Sequence, residues 1–316
     1  MKVGSSFQAV ILAAGAGKRL RPLSLTRSKA LAPLCGKPMV QWVLESLLDA
    51  GIEQVFVVVS SLDDDVACWF SEWPGPGRIE LVVQPEKKGM AHALMCAAPK
   101  LSAHFIMHAC DTIVEPSTIE MLLGAHLRRG AACTLALEKV HTPEQIRRTG
   151  IVAFEGERIS WIIEKPEPEE APSDTSAIPV YTFEPAVLGY LPEVQPSKRG
   201  EYEIQDAIKL VIQRDREVYG EMVPDRWQIT TCDDLLELNR NCLARGYTRD
   251  TDDATCIGPV HIGEGVTFGA GCTVGPNAVI ESGATIGAGV TVRDALILRD
   301  ANVPDGALVE GCVLAE

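Results

Sequence analysis

A glycine-rich turn follows the first apolar segment of the chain, and its residue types suit the binding of phosphate groups. The segment reads Leu12-Ala13-Ala14-Gly15-Ala16-Gly17-Lys18-Arg19-Leu20-Arg21-Pro22-Leu23. A dinucleotide fingerprint needs a third glycine where Leu20 stands, and a P-loop needs Ser or Thr where Arg19 stands, so neither motif is present. A turn at the carboxyl edge of a strand still lets backbone N–H groups approach phosphates, and Arg19 and Lys29 would add positive charge.

Further motifs follow this turn in a fixed order. They are Lys29-x-Leu31-x-Pro33, Lys37-Pro38, Gln84 with Gly89-Met90-Ala91-His92-Ala93, Asp111 after an apolar segment, Gly150, Glu164-Lys165-Pro166 and Gly200-Glu201-Tyr202-Glu203-Ile204-x-Asp206. Together with the glycine-rich turn, this ordered set resembles the sugar-1-phosphate nucleotidylyltransferases over roughly residues 7–245. An ordered set is far more specific than any single motif in it.

The resemblance implies a function and a set of site residues. The reaction would transfer a nucleotidyl group from a nucleoside triphosphate to a sugar 1-phosphate and release pyrophosphate. The implied catalytic residues are Arg19, Lys29 and Asp111. The implied nucleotide-binding residues are Leu12, Ala13, Ala14, Gly15, Gly17, Gln84 and Gly89. The implied sugar-phosphate-binding residues are Gly150, Glu164 and Lys165. Asp111 would anchor the cofactor Mg²⁺.

The implied roles depend on charge and hydrogen bonding. The nucleophile is a phosphate oxygen that is already ionised at neutral pH, so no general base is required. A glutamine side chain at Gln84 would match the edge of a pyrimidine, which favours UTP or dTTP over GTP, ATP and CTP.

The chain departs from the family pattern at a few positions, and these keep other functions open. Lys18 stands where the family usually has Thr, and Ser28 where it has Pro. The second metal ligand is normally an Asp two residues after a Trp or a neighbouring Asn, but here Trp227 is followed only by the amide of Gln228. A regulatory homologue that binds nucleotide sugars without making them is therefore an alternative. A bifunctional acyltransferase is less favoured, because the C-terminal region contains His261 as its only histidine.

Composition limits the possible partners. The 316 residues carry a net charge of −14 and no basic patch, so we expect no binding to nucleic acid. No apolar run approaches the ~20 residues of a membrane helix. Ten scattered cysteines without a C-x-x-C pair, and an N-terminus without a signal-peptide pattern, favour reduced thiols in a cytoplasmic protein.

Residues 1–244 are predicted to form an α/β nucleotidyltransferase domain. Five apolar segments read as buried strands: Phe7–Leu12, Val55–Val59, Ile79–Val83, Phe105–Met107 and Cys133–Leu137. Amphipathic helices are predicted at Pro38–Ala50 and from a capping box at Ser117–Glu120. This alternation predicts a Rossmann-like mixed, mostly parallel sheet covered by helices.

Residues 256–316 show a six-residue period after a polar linker at 245–255. The first row of apolar residues is Ile262, Phe268, Val274, Ile280, Ile286, Val292 and Leu298. A hexapeptide repeat is typical of a parallel, left-handed β-helix, and 54 residues would make three coils. Open ends and flat faces predict a homo-oligomer formed through this element, with the apolar segment Ala307–Leu314 serving as an interface or cap.

Overall fold

The computed structural model describes residues 2–15, 17–21, 23–25, 27–61, 64–214 and 216–315. The chain forms two compact units, one of Met1–Gly15 with Val43–Arg226 and the other of Ala16–Trp42 with Trp227–Glu316. No helix in the described ranges is long and apolar enough to cross a membrane.

Before the repeat region, the chain contains the five predicted strands and two predicted helices, together with further elements that the pattern of apolar residues did not predict. The helices are α1 Met39–Asp49, α2 Asp64–Ser71, α3 Met90–Ala97, α4 Pro116–Arg129, α5 Pro143–Ile146, α6 Ile204–Gln213 and α7 Cys232–Ala244. The strands before the repeat region are β1 Gln8–Leu12, β2 Pro33–Leu34, β3 Lys37–Pro38, β4 Gln54–Ser60, β5 Arg78–Gln84, β6 Phe105–Ala109, β7 Thr112–Ile113, β8 Cys133–Lys139, β9 Gly150–Glu155, β10 Arg158–Glu164, β11 Thr175–Phe183, β12 Val218–Met222 and β13 Trp227–Gln228.

The first unit is built on a mixed sheet with the order β10-β9-β11-β6-β1-β4-β5, to which β8 and β12 add beside β11. Strands β6, β1, β4 and β5 are parallel neighbours, so their carboxyl ends lie at one edge. β11 runs antiparallel to β6, and β9 and β10 form an antiparallel hairpin. The central strands are apolar on both faces because helices cover them, which confirms the predicted mixed, mostly parallel sheet.

The two predicted helices are present with different starts. α1 begins at Met39, directly after Pro38, and its core-facing residues Val40, Val43, Leu44 and Leu47 are fully buried. The capping box predicted at Ser117–Glu120 is wrong, because α4 begins at Pro116 with Glu115 as its N-cap residue. Proline suits the first helical position, since its missing N–H would have no partner there.

The repeat region forms parallel strands stacked in three sheets, as expected of a short left-handed β-helix. The strands are β14 Thr255–Cys256, β15 Val260–Ile262, β16 Thr267–Phe268, β17 Thr273–Val274, β18 Ala278–Ile280, β19 Thr285–Ile286, β20 Thr291–Arg293, β21 Leu296–Ile297, β22 Asn302–Val303, β23 Leu308–Glu310 and β24 Val313–Leu314. They make three coils and two strands of a fourth. The final segment therefore continues the coil and is not a separate cap.

The six-residue period breaks twice, after Val292 and again after Val309. Ile262 pairs with Ile280 at a spacing of eighteen residues, whereas Ile280 pairs with Ile297 at seventeen. The expectation that Leu298 continues the inward row is therefore wrong, and Ile297 takes that place. The turn before β18 contains Pro276 and Asn277, and the corresponding turn before β21 is one residue shorter and passes through Asp294, whose φ is +47°.

Candidate active site

The glycine-rich turn and the lysine that follows it lie against each other in the second unit. Gly17 has a φ of +56°, and a Cβ atom on it would lie 2.9 Å from Cβ of Lys29. The segment Lys18–Leu20 forms one turn of 3-10 helix, anchored by the fully buried Leu20. Arg19 is exposed and Lys29 is half-buried. Lys29 therefore lies against the turn that carries Arg19.

The departure at Ser28 preserves the local backbone. Ser28 has a φ of −61°, which is close to the value that a proline ring imposes. Its hydroxyl accepts a hydrogen bond from the backbone N–H of Ala30 at 3.4 Å and caps the short helix that begins at Lys29. Ser28 thus favours this backbone conformation through a hydrogen bond, whereas the ring of a proline would fix φ covalently. The side chain of Lys18 lies outside the described part of the structure.

In the first unit, the predicted nucleotide-binding residues continue β1 at its carboxyl end. Leu12, Ala13 and Ala14 are buried, and the N–H of Ala13 donates to the carbonyl of Val58 at 2.8 Å. Gly15 is exposed, and a Cβ atom placed on it would meet no atom of the described residues within 4 Å. Packing within the protein therefore does not require a glycine at position 15, and the open space beside it suits the approach of a ligand.

Asp111 follows β6 at the same edge of the sheet. The N–H of Cys110 donates to the carbonyl of Leu12 at 3.1 Å, which ties this segment to the end of β1. Asp111 is half-buried, and it lies near the fully buried His108. Burial lowers the pKa of His108 to about 4 despite the opposing effect of the Asp111 carboxylate, so the imidazole is neutral at pH 7.

Gln84 ends β5 and is only 3% exposed, so it is not a solvated residue at a strand end. Its Nε2 donates to the carbonyl of Gly89 at 3.2 Å and lies 2.9 Å from Nδ1 of His92. Both contacts use the amide nitrogen, which leaves the carbonyl oxygen as the group able to accept from a ligand.

Gly89 is the N-cap residue of α3, and packing within the protein requires a glycine at this position. Its φ is +97°, and a Cβ atom would lie 2.7 Å from the backbone oxygen of Tyr202. That oxygen accepts from the N–H of Ala91 at 3.0 Å, and the N–H of Tyr202 donates to the carbonyl of Lys88 at 2.7 Å. The resemblance attributed this glycine to nucleotide binding, whereas the structure adds a packing requirement.

The predicted sugar-phosphate residues meet at the open end of the β9–β10 hairpin. Glu164 pairs directly with Gly150, and a Cβ atom on Gly150 would lie 3.1 Å from Oε2 of Glu164. Lys165 has a φ of +49°, which is uncommon for a residue with a side chain, and its N–H donates to the carbonyl of Thr149 at 3.0 Å. Its Nζ lies 3.1 Å from Oε1 of Glu164. Strained backbone of this kind is concentrated at functional sites.

Three polar residues beside this hairpin were not singled out in the sequence, although two of them lie in the matched segment that ends at Asp206. Arg199 lies 3.8 Å from Oε1 of Glu164 and 2.7 Å from Oε1 of the buried Glu203. Gln205 is 3% exposed, and its amide lies over Gly150. Burial raises the pKa of Glu164, and Lys165 and Arg199 oppose that shift while Glu203 adds to it.

Gln228, the remaining candidate for a second metal ligand, lies in β13 of the second unit and is half-buried. Its neighbour Trp227 is held by Arg245, whose guanidinium lies 4.5 Å from the ring centroid, and by the edge of Trp42. Within the described ranges, no group of three His, Cys, Asp or Glu residues could hold a metal ion. The donor chemistry fits Mg²⁺ held by one carboxylate together with substrate phosphates, because that ion is often bound in this way.

Comparisons with known proteins agree with this architecture. Residues 8–245 match the family model described as "Nucleotidyl transferase", and residues 256–316 match the "GMPPB C-terminal domain". The chain therefore belongs to the nucleotidyl transferase family.

Two relatives are similar over most of the chain. The UTP–glucose-1-phosphate uridylyltransferase AglF of Haloferax volcanii is 32% identical, over 78% of this chain and 94% of the relative. The glucose-1-phosphate thymidylyltransferase of Streptomyces griseus is 30% identical, over 80% of this chain and 69% of the relative. A crystal structure of UDP-glucose pyrophosphorylase in complex with UDP-glucose has the same fold, with a TM-score of 0.68, 22% identity and coverage of 76% of this chain and 99% of that one.

Proposed function

We propose that this protein transfers a nucleotidyl group from a nucleoside triphosphate to a sugar 1-phosphate, with release of pyrophosphate. The observation that carries the proposal is the polar group at the β9–β10 hairpin. There a buried carboxylate, Glu164, and a strained lysine, Lys165, flank Gly150 on a chain of this family. A carboxylate suits sugar hydroxyls and an ammonium suits a phosphate, so one short segment offers partners for both parts of a sugar phosphate.

The residues act by positioning and by charge. A phosphate oxygen of the sugar 1-phosphate attacks the α-phosphorus and forms a P–O bond, while the bond from that phosphorus to the pyrophosphate oxygen breaks. Arg19 and Lys29 neutralise the phosphates, and Lys165 holds the sugar phosphate. No proton has to be removed from the nucleophile, because a phosphate oxygen is already ionised at neutral pH.

Mg²⁺ is the proposed cofactor, and Asp111 is the proposed ligand. The ion would supply positive charge to the reacting phosphates. Gln228 offers an amide where the family pattern has Asp or Asn, and an amide binds Mg²⁺ more weakly than a carboxylate does. We therefore expect weak metal binding that depends on substrate phosphates.

UTP or dTTP is the proposed nucleotide. The two relatives are named for uridylyl and thymidylyl transfer, and Oε1 of Gln84 is able to accept from the N3–H of uracil or thymine. The N1–H of guanine could satisfy the same oxygen, so rejection of GTP depends on the width of the purine ring. GTP is accordingly the most informative alternative substrate.

The test is release of pyrophosphate, measured with UTP, dTTP, GTP, ATP and CTP against glucose, N-acetylglucosamine, galactose and mannose 1-phosphates. Activity should require Mg²⁺ and should be abolished in Asp111→Asn. Wild-type protein that binds nucleotide sugar but releases no pyrophosphate from any pair would instead establish the regulatory alternative, which Lys18 and the amide of Gln228 favour where the family pattern has other residues.

The acyltransferase alternative is not supported by the environment of His261. A Cβ atom on Gly36 would lie 2.4 Å from Nε2 of this ring, and Nδ1 lies 3.2 Å from the carbonyl of Tyr247. Burial lowers its pKa. The ring therefore packs against Gly36 and Tyr247 within its own unit, and the acyltransferase is still the less favoured alternative.

A further inference from the structure

The buried amide of Gln84 contacts two acceptors of the first unit through its nitrogen. Nε2 lies 3.2 Å from the carbonyl oxygen of Gly89 and 2.9 Å from Nδ1 of His92. A carbonyl oxygen only accepts hydrogen bonds, so the amide atom that faces Gly89 must be the nitrogen. The nitrogen carries two hydrogens, of which one is available to Gly89 and the other to His92. Oε1 is therefore the atom that this amide can offer to a ligand.

The contact with Gln84 also determines the role of the His92 ring. An amide nitrogen donates and does not accept, so Nδ1 of His92 must be the acceptor, and the hydrogen of the neutral ring is on Nε2. If the Gln84 amide were turned over, its carbonyl oxygen would face this acceptor and the carbonyl of Gly89. Both contacts would then be repulsive, so the two acceptors together hold the amide in one orientation.

His92 is the acceptor that Gln84 does not share with the backbone of α3. The carbonyl of Gly89 also accepts from the N–H of Ala93 at 3.1 Å. His92 is the third residue of α3, and its ring centroid lies 6.1 Å from that of Tyr202. The backbone of Tyr202 is in turn bonded to Lys88 and Ala91, on either side of Gly89. Backbone hydrogen bonds and a neighbouring ring therefore fix the place of His92 beside Gln84.

The orientation of the amide determines which bases can pair with it. Uracil and thymine carry a hydrogen on the ring nitrogen of their pairing edge, and so does guanine. Cytosine and adenine have an unprotonated nitrogen at that place, which is an acceptor. Oε1 of Gln84 accepts from the first group of bases and repels the second, whereas a turned amide would have the opposite preference.

We propose that His92 is a positioning residue that restricts the nucleotide to bases with a hydrogen on this ring nitrogen, because it holds the Gln84 amide with Oε1 toward the ligand. The inference rests on the proposed function and adds a rule for the class of nucleotide. The amide accepts UTP and dTTP and rejects CTP and ATP, while rejection of GTP is left to the width of the purine ring. His92 acts through Gln84 and does not itself contact the base.

The test compares UTP with CTP, because the two have rings of the same size and differ at this nitrogen and the adjacent exocyclic group. Dissociation constants of both are measured by calorimetry with Mg²⁺ for wild type, His92→Leu and His92→Asn. In His92→Leu, turning the amide costs one hydrogen bond where it costs two in wild type. The dissociation constant of CTP divided by that of UTP should therefore fall by about 5-fold or more.

His92→Asn is the conservative variant, and a second histidine provides the control. Oδ1 of an asparagine can take the place of Nδ1, so the ratio in His92→Asn should stay close to that of wild type. Loss of packing alone would weaken both nucleotides and leave their ratio unchanged. His141→Leu, at an exposed histidine of the same unit, should leave both dissociation constants unchanged.

Three results would overturn the inference. One is a wild type that binds CTP as tightly as UTP, and another is an unchanged ratio in His92→Leu. The third is a ratio in His92→Asn that is as low as in His92→Leu. Pyrophosphate release is measured separately. If none occurs but the ratios are as expected, the result contradicts the proposed reaction and supports the role of His92.

Discussion

At the scale of single residues, we expect the reaction to depend on the positive charges of Arg19 and Lys29. Arg19→Ala and Lys29→Ala should each lower kcat by about 10²-fold, because removing one preorganised charge from a reacting centre costs about 3 kcal/mol. Arg21→Ala is the matched control, since Arg21 is an exposed arginine on the same segment. Circular dichroism should show an intact fold in all three variants. Near-normal rates for both Arg19→Ala and Lys29→Ala would remove this turn from the proposed mechanism.

The pKa of Glu164 leads to a second prediction at this scale. Burial raises it above the ordinary 4.5, so protonation occurs at a higher pH than for an exposed glutamate. As the pH falls through this raised pKa, the acceptor for sugar hydroxyls is lost and kcat/KM for the sugar phosphate should fall. The folded state binds the proton more tightly than the unfolded state does, so this group's contribution to stability rises over the same interval.

Glu164→Gln provides the comparison. The variant should be less active than wild type at pH 7 and no less stable. Its kcat/KM for the sugar phosphate should not show the fall at low pH that protonation of Glu164 causes in wild type. Titration of the substrate phosphate is common to both proteins and cancels in the ratio of their profiles. If the ratio of the two pH profiles does not vary with pH, the fall in kcat/KM at low pH is caused by a group other than Glu164.

At the scale of elements, the junction of β5 and α3 should select the base. Gln84→Ala removes the acceptor that faces the ligand and the bond from Nε2 to Gly89. We expect kcat/KM for UTP and dTTP to fall by about 10-fold or more, with a smaller effect on the other triphosphates. Steady-state rates with all five triphosphates give the answer. Preference of wild type for GTP, or unchanged discrimination in the variant, would contradict the proposed base choice.

At the scale of the whole molecule, the second unit joins the segment that is proposed to bind phosphates to the β-helix. NH1 of Arg27, two residues before Lys29, lies 2.8 Å from Oε2 of Glu281, and the two side chains are 17% and 10% exposed. Asn239 in α7 accepts from the N–H of Cys35 and donates to the carbonyl of Pro33. The repeat region therefore supports the segment that carries Arg19 and Lys29.

Breaking this ion pair should affect both stability and nucleotide binding. Arg27→Ala and Glu281→Ala should each lower the free energy of unfolding by about 2 kcal/mol, because each leaves one buried charge unpaired. The KM for the triphosphate should rise in both, and the double variant should be less impaired than the sum of the two. Urea unfolding and steady-state kinetics provide the measurements. Additive effects would show that the pair is not coupled.

The proposed homo-oligomer is tested on the exposed face of the β-helix. Leu308 in β23 is 60% exposed, which is unusual for a leucine within a strand. Leu308→Asp should lower the mass measured by light scattering. Leu127→Asp, at a leucine of α4 that is 47% exposed, should leave it unchanged. A monomeric wild type would make this proposal wrong.

Local pattern in the chain was enough to predict five strands of the sheet, two helices and the repeat region. The apolar strands, the helix at Met39–Asp49 and the six-residue repeat follow from side chains that alternate or recur with the period of the backbone. The ordered motifs likewise indicated the family before any contact was known. These features depend on residues that are close together in the sequence, so they can be predicted without knowledge of the tertiary structure.

Contacts between distant segments could be decided only by tertiary structure. The reason for a glycine at position 89 is the backbone of Tyr202, and Gly150 lies against the side chains of Glu164 in β10 and Gln205 in α6. The shortened coil after Val292 replaces Leu298 with Ile297, although both are buried and apolar. In each case the deciding contact is made by a residue far away in the sequence, or it depends on the register between two strands. Composition and spacing do not specify which of these atoms meet.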